Sequence, residues 1–177
     1  MMGDMLGLEG FATAVEAELR AITIDDYAEV RHLHALAYRI LTNSHHSATQ
    51  IDAFENLVYS QDYTRLLIAN DLWGIWMGRN LLATAGWSPA GDCGSTARIT
   101  DLFVHPMFTN EGLGRLAIAS AEKRAQAAGF VDFSARVGVN AVPFFQMLGY
   151  SITSHGVRPL GQGVDVPVTF MRKNAAG

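Results

Sequence analysis

The chain has 177 residues, 49% of them apolar and only 17% charged, with acidic side chains outnumbering basic ones by four. That size suits one domain with a sizeable core, and a charged fraction below the roughly 25% usual for soluble domains points to an apolar surface that needs covering, such as a dimer interface or a cofactor cleft. No Lys/Arg cluster stands ready to neutralise phosphates, which argues against a nucleic-acid partner; no apolar run reaches the roughly 18 residues of a membrane span; and the opening M-M-G-D-M-L-G-L-E-G lacks the basic start and long apolar core of a signal peptide, so a cytoplasmic protein is expected.

Met1 to Glu18 mixes small, acidic and apolar residues and reads as a poorly ordered lead-in to a single domain over residues 19–177. Leu19–Ile22 reads as a short strand. Thr23-Ile24-Asp25-Asp26 then supplies cap candidates and first-turn acids for a helix carrying Tyr27, Val30, Leu33, Leu36, Ala37 and Ile40 at spacings of three and four. Ser47-Ala48-Thr49-Gln50 has the form of a capping box and opens a second helix with Ile51, Phe54, Leu57 and Val58 on one face. Tyr63–Ala69 fits either a strand or the end of that helix. Leu72–Met77 and Leu81–Trp87, joined by Gly78-Arg79-Asn80, predict a hairpin.

Pro89–Ser95 is a loop that holds the one cysteine, Cys93, read as an exposed thiol; a lone cysteine excludes an internal disulfide. Thr96–Val104 is a strand ending at His105-Pro106. A long helix over about Gly112 to Ala128 buries Leu113, Leu116, Ala117, Ser120, Ala121, Ala125 and Ala128, and Gly129 stops it. Phe130–Arg136 is a strand, Ala141–Leu148 a short helix, and Tyr150–His155 and Val164–Met171 the last strands. Sequential hairpins with βαβ units in the middle predict an α/β fold with a mixed sheet and helices on both faces.

The densest local signal is a strand, then Val104-His105-Pro106-Met107-Phe108-Thr109-Asn110-Glu111-Gly112-Leu113-Gly114-Arg115, then a helix. Two glycines one residue apart at a helix start permit a tight turn with outward N–H groups, an anion site suited to a phosphorylated ligand. The same pair also fits a ligand-free helix start. It is neither a dinucleotide fingerprint, for want of a third glycine, nor a P-loop, for want of Gly-Lys-Ser/Thr.

Val104-x-Pro106 followed by Gly112-x-Gly114 resembles the signature of the GNAT family of N-acetyltransferases, in which V-x-P leads to Q/R-x-x-G-x-G/A. Asn140-Ala141-Val142-Pro143-Phe144-Phe145-Gln146-Met147-Leu148-Gly149-Tyr150 is similar to the family's second motif, and Leu19-Arg20-Ala21 with Asp25-Asp26 to its opening strand and helix. The resemblance runs from about Leu19 to Lys173. It implies a mostly antiparallel central sheet with a splay, and acetyl-CoA as cosubstrate. The pyrophosphate would sit on the N–H groups of Asn110, Glu111, Gly112, Leu113, Gly114 and Arg115. The pantetheine would lie along Phe103 and Val104, with Asn140 and Phe145 beside it. Three positions depart from the family pattern. Thr109 stands where it has Arg or Gln, Glu111 where a basic residue is usual, and Phe145 where a tyrosine is proposed as general acid.

An alkylamine is mostly protonated near pH 7, so amide formation needs a base. Asp101, three residues before Val104, is placed near the expected thioester; the other reading of it is a strand-end acid bonding nearby backbone. A common base position upstream in the family falls near Arg98, which cannot serve. Tyr150 is the remaining candidate acid for the departing thiolate, which at a pKa near 8.5 needs little help.

His45 and His46, adjacent and without metal spacing, suggest either the rim of an amine pocket or a solvated loop, and no metal is expected. His32 and His34 read as structural, and Trp73, Trp76 and Trp87 as packing. The net charge suits a small amine substrate. The expectation is therefore an acetyl-CoA-dependent N-acetyltransferase of a small amine, able to form a homodimer. The alternative is an acyl-CoA-binding sensor or partner-binding module of the same fold.

Overall fold

The computed structural model describes residues 16–91 and 94–175. Most of the expected lead-in, and Cys93, therefore lie outside the described residues. Strand β1 (Ala17–Ala21) starts two residues earlier than expected, with Ala17 opposite Met77. Arg20 then clamps Asp26 through two bonds of 2.8 and 3.0 Å, and the Asp26 carboxylate also accepts the Thr23 N–H at 2.9 Å. That pairing holds the Asp26 carboxyl at about 2 and seats the start of α1 (Tyr27–Thr42), whose Val30, Leu33, His34 and Ala37 are buried one turn apart.

Helix α2 (Ala48–Val58) begins with the capping box read from the sequence. Ser47 Oγ accepts the Gln50 N–H at 3.2 Å, and Gln50 Oε1 accepts the Ser47 N–H at 3.0 Å. The ambiguous Tyr63–Ala69 stretch belongs to a separate helix, α3 (Gln61–Ala69). Ser60 caps it by accepting from the Tyr63 N–H at 3.2 Å, and Tyr63 and Leu67 are its buried face.

The remaining strands are β2 (Asp71–Met77), β3 (Asn80–Pro89), β4 (Thr96–Val104), β5 (Asp132–Gly138), β6 (Ser151–Gly161) and β7 (Val164–Asn174). With β1 they form one seven-stranded sheet in the order β1-β2-β3-β4-β5-β7-β6. Only β4 and β5 run parallel; they are joined through α4 (Leu113–Ala127). The short helix α5 (Val142–Met147) connects β5 to β6. The last hairpin is longer than expected. Strand β6 pairs only with β7, and the edge of a sheet is where a proline such as Pro159 is tolerated.

Helices cover both faces. On one, Ala117, Ala121 and Ala125 of α4 pack with Leu113 and Ile118 over Ala97, Ile99, Phe133 and Ala135. Side chains this small let the helix lie close to the sheet. Ile118 replaces the expected Ala128, which is exposed, in that stripe. On the other face α1, α2 and α3 bring Val30, Leu33, Phe54, Tyr63 and Leu67 onto Leu72, Trp76 and Leu81. Among the described residues no helix is long and apolar enough to cross a membrane.

One irregularity positions the site. Thr84 faces Phe103 and Gly86 faces Thr100, so two steps on β3 match three on β4. The extra residue is a bulge, and Asp101 within it takes a left-handed backbone at φ 55. Side-chain direction flips across it. Ala97 and Ile99 belong to the α4 core and Leu102 and Val104 pack against it, while Phe103 turns to the opposite core. The β4–β5 pairing stops at Ile99 and Ala135, although β4 continues to Val104 and β5 to Gly138. The sheet therefore splays open beyond the bulge.

Candidate active site

The splay opens into a cavity of about 390 Å³. Thr100 to Phe103 of β4 and Arg136 to Gly138 of β5 form one wall, with Asn140, Ala141 and Phe145 beyond them; Tyr38, Leu41, His46, Phe54, Tyr63 and Leu66 form the wall opposite. Two polar atoms of residues lining this space are buried without a hydrogen-bond partner among the described residues, Tyr38 Oη and His46 Nδ1. Buried polar groups seldom stay unpaired, so their convergence on one cavity marks a place built for a polar ligand. Burial also pushes the Tyr38 phenol up to about 12. His46, read as rim or solvated loop, is a buried wall residue stacked on Tyr38 with ring centroids 5.6 Å apart.

Asp101 is half-buried in the cavity lining where the strands separate. Its Oδ2 accepts from Asn70 Nδ2 at 2.6 Å, so the residue at the end of α3 orients the carboxylate. Burial raises the Asp101 carboxyl above its ordinary range, against the pull of the Thr100 and Asn70 side chains and the Arg158 and Arg136 charges. The Asp101 carbonyl accepts from Thr84 Oγ1 at 2.7 Å.

Thr84 has one hydroxyl hydrogen and uses it there, so it must accept from His34 Nε2, 2.8 Å away. Burial, with Arg158 nearby, holds the His34 imidazole at about 3, hence neutral. His34 therefore carries its hydrogen on Nε2, and Nδ1 accepts from the Tyr63 hydroxyl at 2.6 Å. This directed chain from Tyr63 to the Asp101 backbone braces the bulge from behind. The His34 ring also stacks on Phe103 at 4.0 Å. The structural reading of His34 stands, with the added detail that it supports the site.

The glycine turn lies between β4 and α4. Asn110 (φ 63) and Gly112 (φ 80) adopt left-handed backbone, and Gly112 caps α4 without a side-chain bond. Among the described residues, no protein acceptor meets the backbone N–H groups of Asn110 to Arg115. These donors, with the positive end of a helix of 15 residues, form a cradle that fits a pyrophosphate. A Cβ on Gly112 would meet nothing within 4 Å, whereas one on Gly114 would lie 3.1 Å from Phe144 Cζ and 3.5 Å from Val104 Cγ2. Gly112 thus serves the turn, and Gly114 lets α4 approach α5 and the end of β4.

The expected cofactor residues fall into two groups. Phe103, Asn140 and Phe145 line the cavity; Asn110, Glu111, Gly112, Leu113, Gly114 and Arg115 form the turn and do not. Leu113 is buried, so only its backbone is offered, and Val104 points into the α4 core. Tyr150 stands apart from the cavity. Its hydroxyl donates to Glu122 Oε1 at 2.7 Å, Lys173 binds the same carboxylate at 2.9 Å, and burial drives the phenol far above its ordinary pKa. The Tyr150 proton is thus engaged with Glu122 and not with the cavity. Phe145, edge-on to Tyr150 at 5.1 Å, presents a ring and no hydroxyl to the cavity.

The sequence reading took Arg98 only as unable to serve as base and missed Arg136 and Arg158; the three line the cavity from β4, β5 and β6. They lie on three strands, and only the sheet order unites them. Burial and the charges of Arg158 and Arg98 lower Arg136 to about 10. The acceptor side is thus cationic apart from Asp101, contrary to the expectation from net charge. Trp73 and Trp87 both donate to the Asp71 carboxylate, at 3.1 and 2.7 Å, and Arg124 joins them at 2.7 Å, which is packing as expected. No group of three or more His, Cys, Asp or Glu able to hold a metal occurs among the described residues.

Solved structures share this architecture. A GCN5-related N-acetyltransferase from Rhodopseudomonas palustris superposes with a TM-score of 0.79 at 21% identity, over 92% of this chain and 98% of that one. PaiA N-acetyltransferase from Thermoplasma acidophilum, in complex with coenzyme A, gives 0.73 at 15% identity, over 90% and 99%. YncA from Salmonella typhimurium, solved with acetyl-CoA, gives 0.61 at 15%, over 90% and 94%. At these identities the likeness is one of fold. No curated protein matches the sequence. The family model of the acetyltransferase (GNAT) family matches residues 27–150, from the start of α1 through Tyr150, and the chain belongs to that family.

Proposed function

We propose that the chain is an acetyl-CoA-dependent N-acetyltransferase of a small-molecule amine that transfers the acetyl group directly. One observation carries this reading: the bulge puts Asp101 in the cavity wall where the β4–β5 splay begins, across from the unpartnered Tyr38 and His46 atoms. The ligands of PaiA and YncA, coenzyme A and acetyl-CoA, support the choice of cosubstrate.

In this reading the N–H groups of Asn110 to Arg115 hold the pyrophosphate. The unpaired edge of β4 at Phe103 and Val104 binds the pantetheine as a neighbouring strand would, beside Asn140 and Phe145. Thr109 and Glu111 add no positive charge there, so the backbone and Arg115 supply the attraction. An ammonium entering the cavity gives a proton to Asp101. The neutral nitrogen attacks the thioester carbonyl, forming the C–N bond. As the tetrahedral intermediate collapses the C–S bond breaks, the thiolate leaves, and the second nitrogen proton neutralises it through solvent. A raised carboxyl pKa makes Asp101 a better proton acceptor than an ordinary aspartate. The proposal includes a cytoplasmic location and a homodimer; exposed Ile152 and Val157 on edge strand β6 support the latter.

Following free thiol while protein and acetyl-CoA meet a panel of amines tests the reading, which requires amine-dependent release. The second reading, a catalytically weak or inactive acyl-CoA-binding module, is favoured by Phe145 and by the engaged Tyr150 hydroxyl. Calorimetric CoA binding without thiol release from any amine would select it.

A further inference from the structure

Three guanidinium groups line the acceptor side of the cavity and a single carboxylate, Asp101, accompanies them. Arg98 (β4) and Arg136 (β5) alternate with Ala97, Ile99, Ala135 and Val137, which point into the α4 core. The arginines are thus on the sheet face that α1, α2 and α3 cover. Arg98 and Arg136 are exposed at the mouth; Arg158 (β6) is half-buried and sits over the Phe54 ring at 5.6 Å.

Among the described residues none of the three has a carboxylate partner. Among the described residues the Arg98 guanidinium reaches only the Ala90 carbonyl, at 3.5 Å, and the Arg136 guanidinium has no hydrogen bond. Three partly buried cations elsewhere have carboxylate partners: Arg20 with Asp26, Arg124 with Asp71, Lys173 with Glu122. Burial and the charges of Arg158 and Arg98 lower the pKa of Arg136, and Asp101, the one carboxylate beside them, acts in the opposite direction. The phosphates of the cosubstrate do not relieve this cluster, since the N–H cradle proposed for them at residues 110–115 is outside the cavity lining.

We propose that the acceptor amine also carries an oxyanion, a carboxylate or a phosphoryl group, held by Arg98, Arg136 and Arg158 while its ammonium meets Asp101. This rests on the acetyl-transfer reading. Guanidinium forks match both oxyanions geometrically. The apolar wall of Leu41, Phe54 and Leu66 suits a hydrophobic body between the two charges.

Matched pairs of amines test it: leucine against 3-methylbutylamine, phenylalanine against phenethylamine, and phosphoethanolamine against ethanolamine. The anionic member of at least one kind should be favoured in kcat/KM by about tenfold to a hundredfold, the effect of a charge-assisted hydrogen bond. The amino-acid pairs and the phosphoethanolamine pair tell carboxylate from phosphoryl. Arg136→Met and Arg158→Met should each narrow the ratio, Arg158→Lys should restore part of it, and Arg65→Met on exposed α3 should leave it alone, with melting curves confirming that each variant folds. Ratios near one in every pair, or ratios that survive both Met variants, would overturn the proposal. A turnover-independent arm titrates leucine and phosphoethanolamine into the CoA-saturated protein by calorimetry. Arginine-dependent binding without turnover would sink the acetyl-transfer reading and keep the anion site; no binding and no turnover would sink the anion site as well.

Discussion

Asp101→Asn separates chemistry from architecture, because asparagine keeps almost everything Asp101 does for the fold. It tolerates the left-handed backbone at φ 55, keeps the backbone carbonyl that Thr84 donates to, and can re-form the contact with Asn70 after an amide flip. What it loses is the ability to take a proton. An amine of pKa about 10 is only about one part in a thousand neutral at pH 7. Wild type has a positioned base to take the nitrogen proton, a contribution of about a hundredfold to ten-thousandfold that the variant lacks. The variant's kcat/KM should therefore be lower by that order at pH 7 and recover as pH rises towards the amine pKa. Wild type should lose activity on the acid side at a pH above the ordinary carboxylate range, because burial raises Asp101. Thermal melts supply the companion result. A carboxyl with a raised folded-state pKa favours the fold when protonated, and that contribution is lost as pH rises through the raised value. The variant should thus be no less stable than wild type at pH 7, and any stability advantage over wild type should vanish at acid pH. A pH-independent ratio, or activity within threefold at pH 7, would refute the base assignment.

Gly112→Ala meets no atom but must hold φ 80, so it should cost about 1 kcal/mol, lower the melting temperature by a few degrees, and weaken CoA binding by calorimetry. Tyr150→Phe removes a buried bond to Glu122 that lies off the cavity; it should cost about 1 kcal/mol of stability and leave kcat within about twofold, and a large kcat loss would restore Tyr150 as an acid. Tyr63→Phe strips His34 Nδ1 of its donor and should cost about 1–3 kcal/mol, read by denaturant melts. His34 is held near 3, below its unfolded value of 6.5, so its neutral form supports the fold above pH 6.5. Melting temperatures should fall as pH drops from 6.5 towards 3, and a flat profile there would contradict a buried neutral imidazole.

Local signals carried most of the fold. The Ser47 to Gln50 box, the 3.6-residue periods of α1 and α4 and the Gly78 turn each act within a few residues, and each was legible. Helix α3 was not decided by period alone, although Ser60 with Asp62 in the first turn was a start signal that could have settled it. The length of β6 was hidden because Pro159 is a breaker in the middle of a sheet and harmless at its edge, a distinction that exists only once the strand order is known. The site divides in the same way. The glycine turn and Asp101 were marked by neighbours in sequence. The arginine cluster depends on β4, β5 and β6 sharing a face, and the fate of the Tyr150 proton on Glu122, 28 residues away.

The bulge at Asp101 gives β4 two reading frames. Before it, odd-numbered residues such as Ala97 and Ile99 face α4; after it, even-numbered ones such as Leu102 and Val104 do. Removing one residue between Thr100 and Phe103 would restore a single frame. Every hydrophobic side chain would still find a core, and the ladder to β3 would run unbroken. Phe103 would still face Thr84, but the bulge carbonyl that Thr84 braces would be gone, and with it the left-handed step at Asp101 beyond which β4 and β5 part. The cavity is written in the number of residues in this strand as much as in their kinds, so a tally of side chains alone would never detect its loss.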